Sequence, residues 1–110
     1  TIADARFAKP LDTKLIDNLL DNHRFIITVE EGSIGGFSSH VLNYVHNKRN
    51  KRFSTIIHNI FFPDRFINHM MPEEQYYEMN MDTNSIVQKI SNLYDDKVVE
   101  IKNFNLKENK

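Results

Sequence analysis

Cysteine is absent from the 110 residues, which rules out a disulfide framework and a thiolate metal site. A chain without cysteine fits a reducing compartment without requiring one. No apolar run approaches the ~18 residues that span a bilayer, so no membrane partner is expected. Charge of one sign is also lacking. The formal net charge is −1, whereas a nucleic-acid footprint needs a basic stripe. Glycine is scarce, and all three glycines fall within Gly32–Gly36. Histidine is present, but His23, His40, His46, His58 and His69 show neither helical i,i+4 pairing nor an H-E-x-x-H run, so no metal site is indicated. There is no Gly-x-Ser-x-Gly elbow, and Ser33, Ser38 and Ser39 have no base partner legible in sequence.

What remains reads as one α/β domain of modest core. Ile2, Ala3 and Ala5 open a short apolar strand over Thr1–Ala5 that ends at Arg6. Pro10 closes the next loop, and Asp12 is placed to cap a helix over Asp12–Asp21. Leu15, Ile16, Leu19 and Leu20 recur there at helical spacing. Phe25–Val29 is a continuous β-branched and aromatic run, the pattern of a strand covered on both faces. After the glycines a helix is predicted from Phe37 or Ser38 to about Asn47, burying Val41, Leu42 and Val45. Residues 47–52 read as a solvated basic loop, and Thr55–Phe62 as a third strand stopped by Pro63.

Pro72-Glu73-Glu74 marks a short helix to about Met79, since proline and acids suit a first turn. Asp82 or Thr83 caps a last helix with an Ile86, Ile90, Leu93 stripe, and Lys97 near its C-terminus. Residues 1–97 form the domain. Residues 98–110 form a polar extension, with a partly ordered tail or edge strand and disorder in the final few. Alternating strands and helices predict a three-layer sandwich with a mainly parallel sheet. Three strands are thin for such a sheet, and the chain opens at Thr1 inside a strand. The first strand and helix are therefore expected to be missing, as in a cut from a longer polypeptide.

The segment Gly32–Gly36 lies between a buried strand and a helix, where open α/β sheets bind ligands. It is neither a dinucleotide fingerprint nor a P-loop. Glu30 and Glu31 precede it and would repel an anion, so a tight turn is the favoured reading over a phosphate cradle. Adjacent strand residues point to opposite faces, so the two acids cannot easily share a proton. One is expected to pair with a cation such as Arg6 or Arg65, the other to face a neighbour or water. His40, near the helix start, is the best placed functional imidazole, with a surface or interface hydrogen bond as its plainer role. Pro63-Asp64-Arg65-Phe66 leaves the third strand, with Asp64 able to cap or bridge and Arg65 able to form a bidentate pair. Met70, Met71, Tyr76, Tyr77, Met79 and Met81 read as core and interdomain packing.

Three blocks stand in order: Ala3-Asp-Ala-Arg-Phe-Ala-Lys-Pro-Leu-Asp12, Thr28-Val-Glu-Glu-Gly-Ser-Ile-Gly-Gly-Phe37 with Ser39-His-Val41, and Phe62-Pro-Asp-Arg-Phe66. Together they resemble the C-terminal domain of transketolase-like, thiamine-diphosphate-dependent enzymes, most nearly the 1-deoxy-D-xylulose-5-phosphate synthase family. The likeness covers about Thr1–Leu93. The first two blocks also resemble the pyruvate dehydrogenase beta subunit and transketolase; the third favours the synthases.

The resemblance implies a homodimeric transferase that joins pyruvate to glyceraldehyde 3-phosphate with loss of carbon dioxide, for isoprenoid biosynthesis, using thiamine diphosphate and magnesium. The cofactor, metal and catalytic glutamate of that family belong to upstream domains. It therefore implies no catalytic, cofactor or metal residue in this chain, and no bound cofactor for the fragment alone. Arg6, Lys9, Asp12, Glu30, Glu31, Gly35, Gly36, His40, Asp64 and Arg65 are candidates for structural and interdomain roles. Asparagine and lysine bias suits a plastid or apicoplast stroma, with a bacterial cytoplasm as the alternative. Two other readings are a stand-alone anion-binding α/β module and the C-terminal domain of a 2-oxoacid dehydrogenase beta subunit.

Overall fold

The computed structural model describes residues 1–48 and 55–108, with side chains up to residue 96. It divides into two compact units, Thr1–Phe66 and Ile67–Lys110.

In the first unit, α1 spans Thr13–Asn22 and starts where Asp12 accepts the Leu15 N–H at 3.0 Å. The carboxylate satisfies an amide that has no intrahelical acceptor. Strand β1 is Phe25–Val29, helix α2 is Phe37–Asn47 and strand β2 is Ile56–Ile60. β1 and β2 pair in parallel, with Ile26 opposite Ile57 and Thr28 opposite Asn59. Ile16 and Leu20 of α1 meet Val41 of α2 in the core. Ile26 and Ile57 pack against this cluster, which places both helices over one face of the sheet. On that face buried Thr28 donates its hydroxyl to Asn59 Oδ1 at 2.7 Å, tying the strands by side chains as well as backbone. The Thr55 hydroxyl lies 3.0 Å from Leu20 O and 2.8 Å from His23 O, at carbonyls that the end of α1 leaves over.

An ion pair not anticipated from sequence clamps the two helices. Lys48, just past α2, pairs with Asp17 of α1, and Tyr44 donates to the same carboxylate at 2.9 Å. Lys48 Nζ also contacts the Tyr44 hydroxyl at 3.1 Å. The Asp17 carboxylate first, then Tyr44, holds the Lys48 ammonium above its ordinary value.

In the second unit, α3 is Pro72–Glu78, and Glu74 reaches back to accept the Met71 N–H at 3.2 Å. Helix α4 is Thr83–Glu108. Asp82 caps it, accepting from the Ser85 hydroxyl at 2.5 Å and the Ser85 N–H at 3.1 Å. These two contacts, the hydroxyl foremost, hold the Asp82 carboxyl below its ordinary value. Met79 and Met81, between the helices, are buried.

The parallel α/β character and the helices at Thr13, Phe37, Pro72 and Thr83 follow the sequence reading. Three expectations fail, the first being the burial of Leu42, which is exposed on α2. Thr1–Ala5 is not a strand: the sheet has only β1 and β2 among the described residues, and a ladder needs a partner. The last helix does not stop near Lys97 and give way to a loose tail or edge strand, but continues to Glu108. No glycine or proline follows Pro72, so no stop signal interrupts it. Most of the predicted basic loop, residues 49–52, lies outside the described residues, as do residues 109–110.

Candidate functional site

The C-terminal edge of the sheet is built around one carboxylate. Glu30, one residue beyond β1, turns towards the start of α2 and accepts three hydrogen bonds. They come from the Phe37 N–H at 2.7 Å, the Ser38 N–H at 2.9 Å and the Ser38 hydroxyl at 2.5 Å. The first N–H groups of a helix are unpaired donors at the positive end of its dipole, a ready anion site. Here the chain supplies the anion itself.

The glycines make room for it. A Cβ on Gly36 would collide with Glu30 Oε2 and lie 3.1 Å from its Cδ. Gly35 has φ +103°, which L side chains rarely adopt, and its N–H donates to Ser39 Oγ at 3.1 Å. Burial raises the affinity of the Glu30 carboxyl for a proton. The Ser38 hydroxyl, the two N–H donors and His40 outweigh it and hold the group below its ordinary value. Beside this turn, the Phe62 N–H after β2 donates to Gly32 O at 2.8 Å, linking the two strand exits.

For Glu30 this arrangement replaces the ion pair expected of one of the two acids. The contacts that hold Glu30 are the α2 amides and the Ser38 hydroxyl, rather than a side-chain cation such as Arg6 or Arg65. A helix start lies seven residues away with its donors already oriented, so the carboxylate needs no second flexible side chain. The same contacts disfavour an anion-binding module at Gly32–Gly36, because an incoming phosphate would have to displace Glu30. Ser38 was not singled out from sequence as a partner of Glu30, and it is buried, 1% exposed. That burial removes it as a nucleophile for a substrate. The signal available was an acid at a strand end seven residues before a predicted helix start.

Of the remaining candidates only His40 acts on this carboxylate, and the others make none of its hydrogen bonds. Asp12 caps α1. Glu31 is exposed in the turn, and His40 is half-buried in α2. Lys9 is exposed ahead of a cis bond to Pro10. Arg6 has φ +57°, its N–H donates to Asp4 Oδ1 at 3.0 Å, and the Phe7 N–H reaches Ala5 O across it at 2.6 Å. Asp64 and Arg65 are exposed beyond β2, where the Arg65 N–H donates to Pro63 O at 2.8 Å. A cavity of about 500 Å³ opens between residues 1–8, the flank of α1 and β1. Among the described residues no group of three histidines or acids could hold a metal ion. No described helix is long and apolar enough to cross a membrane.

A parallel sheet fragment under two helices, with a glycine turn locked on its own glutamate, is the frame of the first unit. The chain belongs to the transketolase C-terminal domain family, which it matches over residues 1–86. Within that family its similarity is to 1-deoxy-D-xylulose-5-phosphate synthases. It is 43% identical over 93 residues, 84% of the chain, to the probable chloroplastic synthase 2 of Oryza sativa subsp. japonica. It is 44% identical over 93 residues, again 84% of the chain, to the chloroplastic synthase 1 of Cannabis sativa. To the synthase of Rhodobacter capsulatus it is 42% identical over 86 residues, 78% of the chain. In each case the chain spans 13% of the relative's length.

Proposed function

We propose that this chain is the C-terminal domain of a 1-deoxy-D-xylulose-5-phosphate synthase, a transferase that condenses pyruvate with glyceraldehyde 3-phosphate and releases carbon dioxide. The observation that carries the reading is the identity of 42–44% to plant and bacterial synthases across 78–84% of the chain. The site agrees with a supporting role. The start of α2 is filled by Glu30, and the buried Ser38 is bound to that carboxylate.

Thiamine diphosphate and magnesium serve the whole enzyme. The described residues do not fit either: no acidic or histidine cluster is available for the metal, and the start of α2 is taken. Both belong to domains upstream in the same polypeptide. Those domains, and a second copy of the enzyme, are the partners of this one. Arg6, Lys9, Glu31, His40, Asp64 and Arg65 are its docking residues, while Asp12, Glu30, Gly35 and Gly36 set the loops that carry them. The location is a plastid or apicoplast stroma, or a bacterial cytoplasm, and the pathway is isoprenoid precursor synthesis.

Calorimetric titration of thiamine diphosphate into the 110-residue chain tests the division of labour. No saturable heat is expected. Micromolar saturable binding to the chain alone would overturn it.

A further inference from the structure

We propose that the outer stripe of α4 pairs, antiparallel, with the same stripe of a second copy of this chain, through a heptad seam centred between Asp95 and Asp96. Val87, Ile90 and Tyr94 stand exposed on that stripe at 56%, 37% and 57%. Their spacing of three and four residues puts them on one face of the helix. Ile86, Lys89 and Leu93, on the adjoining side, are half-buried. They serve the unit itself, where the Lys89 ammonium donates to Asn80 O at 3.0 Å. Helix α4 thus carries a second apolar stripe that its own unit leaves exposed.

The sequence continues the pattern. The same alternation of three and four runs on to Lys97, Ile101 and Phe104, and α4 extends to Glu108. Val87, Tyr94 and Ile101 take the first position of a heptad, and Ile90, Lys97 and Phe104 the fourth. The family match ends at residue 86, so the stripe lies outside the segment that defines the domain.

The order of the stripe selects its occupant. A contact between two like copies requires a self-complementary surface. Reversed about the midpoint of 95 and 96, the stripe falls on itself: Val87 matches Phe104, Ile90 matches Ile101 and Tyr94 matches Lys97. Charge agrees with this. Within residues 84–96 the positions flanking the seam are Asn84, Ile86, Ser91 and Leu93, none of them charged. Asp95 and Asp96 fall on the outward positions and are exposed. Two copies therefore meet without repulsion, whereas a strongly charged partner would find nothing to pair with.

Lys97 sets the direction. Parallel copies would place this cation against itself in the seam, while antiparallel copies set it opposite the aromatic ring of Tyr94. From Val87 to Phe104 the seam is about 26 Å long. So short a heptad run adds to a contact between copies rather than founding one. The inference deepens the reading that a second copy of the longer protein is a partner of this domain. It does not depend on which reaction that protein performs.

Cross-linking in the uninterrupted natural protein tests it. In the antiparallel seam, position 94 lies about 4.5 Å along the axis from its own copy, and position 87 about 26 Å. A short bis-maleimide should therefore join Tyr94→Cys to its copy, the linked peptide being identified by mass spectrometry. Val87→Cys should give no such link. Adding Val87→Asp to Tyr94→Cys should abolish the link, because the charge would be buried in the seam. Linking at both positions would show a parallel pair, and linking at neither would show that no second copy lies on the stripe. A link that survives Val87→Asp, with helix content unchanged by circular dichroism, would mark it as chance collision. Any of the three overturns the proposal. A protein that makes its product without the link would sink this inference and leave the proposed function standing.

Discussion

Glu30 is the residue on which the sheet's C-terminal edge turns. Its carboxylate replaces an external anion at the start of α2 and fixes Ser38 in the core. Because folding lowers its affinity for protons, its contribution is complete at neutral pH and fades as pH falls below the ordinary glutamate value of 4.5. Glu30→Ala should cost about 2 kcal/mol at pH 7, the scale of hydrogen bonds to a charged group. Glu30→Gln should flatten the acid limb of a stability–pH curve. An unchanged acid limb in urea titrations would contradict this role. Gly36→Ala acts on the same contact by forcing the carboxylate out. The two changes should be strongly non-additive, the double variant losing little more than either single one. Full additivity would separate the glycine from the glutamate. The sequence marks both residues, but not their partnership. Fold-back of a side chain onto a helix seven residues ahead depends on the turn's path, and φ +103° at Gly35 is part of that path.

Elements were legible wherever their chemistry is local. Asp12 before Leu15 and Ile16, Phe25–Val29, and Pro72 with two acids each carry a start signal or a period of their own. Thr1–Ala5 misled because strand composition cannot show whether a neighbour is present. The end of α4 misled because Val98 and Val99 suggest β structure, while the lack of a stop signal favours continuing the helix. The Asp17–Tyr44–Lys48 clamp was illegible because its members lie on two elements that meet only after packing. At this scale Val41→Ala should cost about 2 kcal/mol, since the residue is 3% exposed where α1 and α2 meet the sheet. Chemical denaturation gives the number. A loss below a few tenths would place the core elsewhere. Asn59→Leu should destabilise more than its added apolar area would suggest, because the buried Thr28 hydroxyl loses its 2.7 Å acceptor. A double variant with Thr28→Val should recover part of that loss.

At the scale of the whole molecule, the identity of the chain is written in its turns. The Arg6–Asp12 loop, the Glu30–Phe37 turn and the Phe62–Phe66 exit place the chain in its family, and in the fold they are caps, bends and links between strand exits. The proposed synthase activity belongs to a longer protein than this chain, which spans 13% of the length of its relatives. The most direct test is to express the uninterrupted natural polypeptide and supply pyruvate, glyceraldehyde 3-phosphate, thiamine diphosphate and magnesium, following 1-deoxy-D-xylulose 5-phosphate by mass spectrometry. The expected result is formation of that product with one carbon dioxide released per turnover, and its loss when the polypeptide is ended before Thr1. Acyl transfer to lipoamide in its place, or no condensation by a folded protein, would contradict the account.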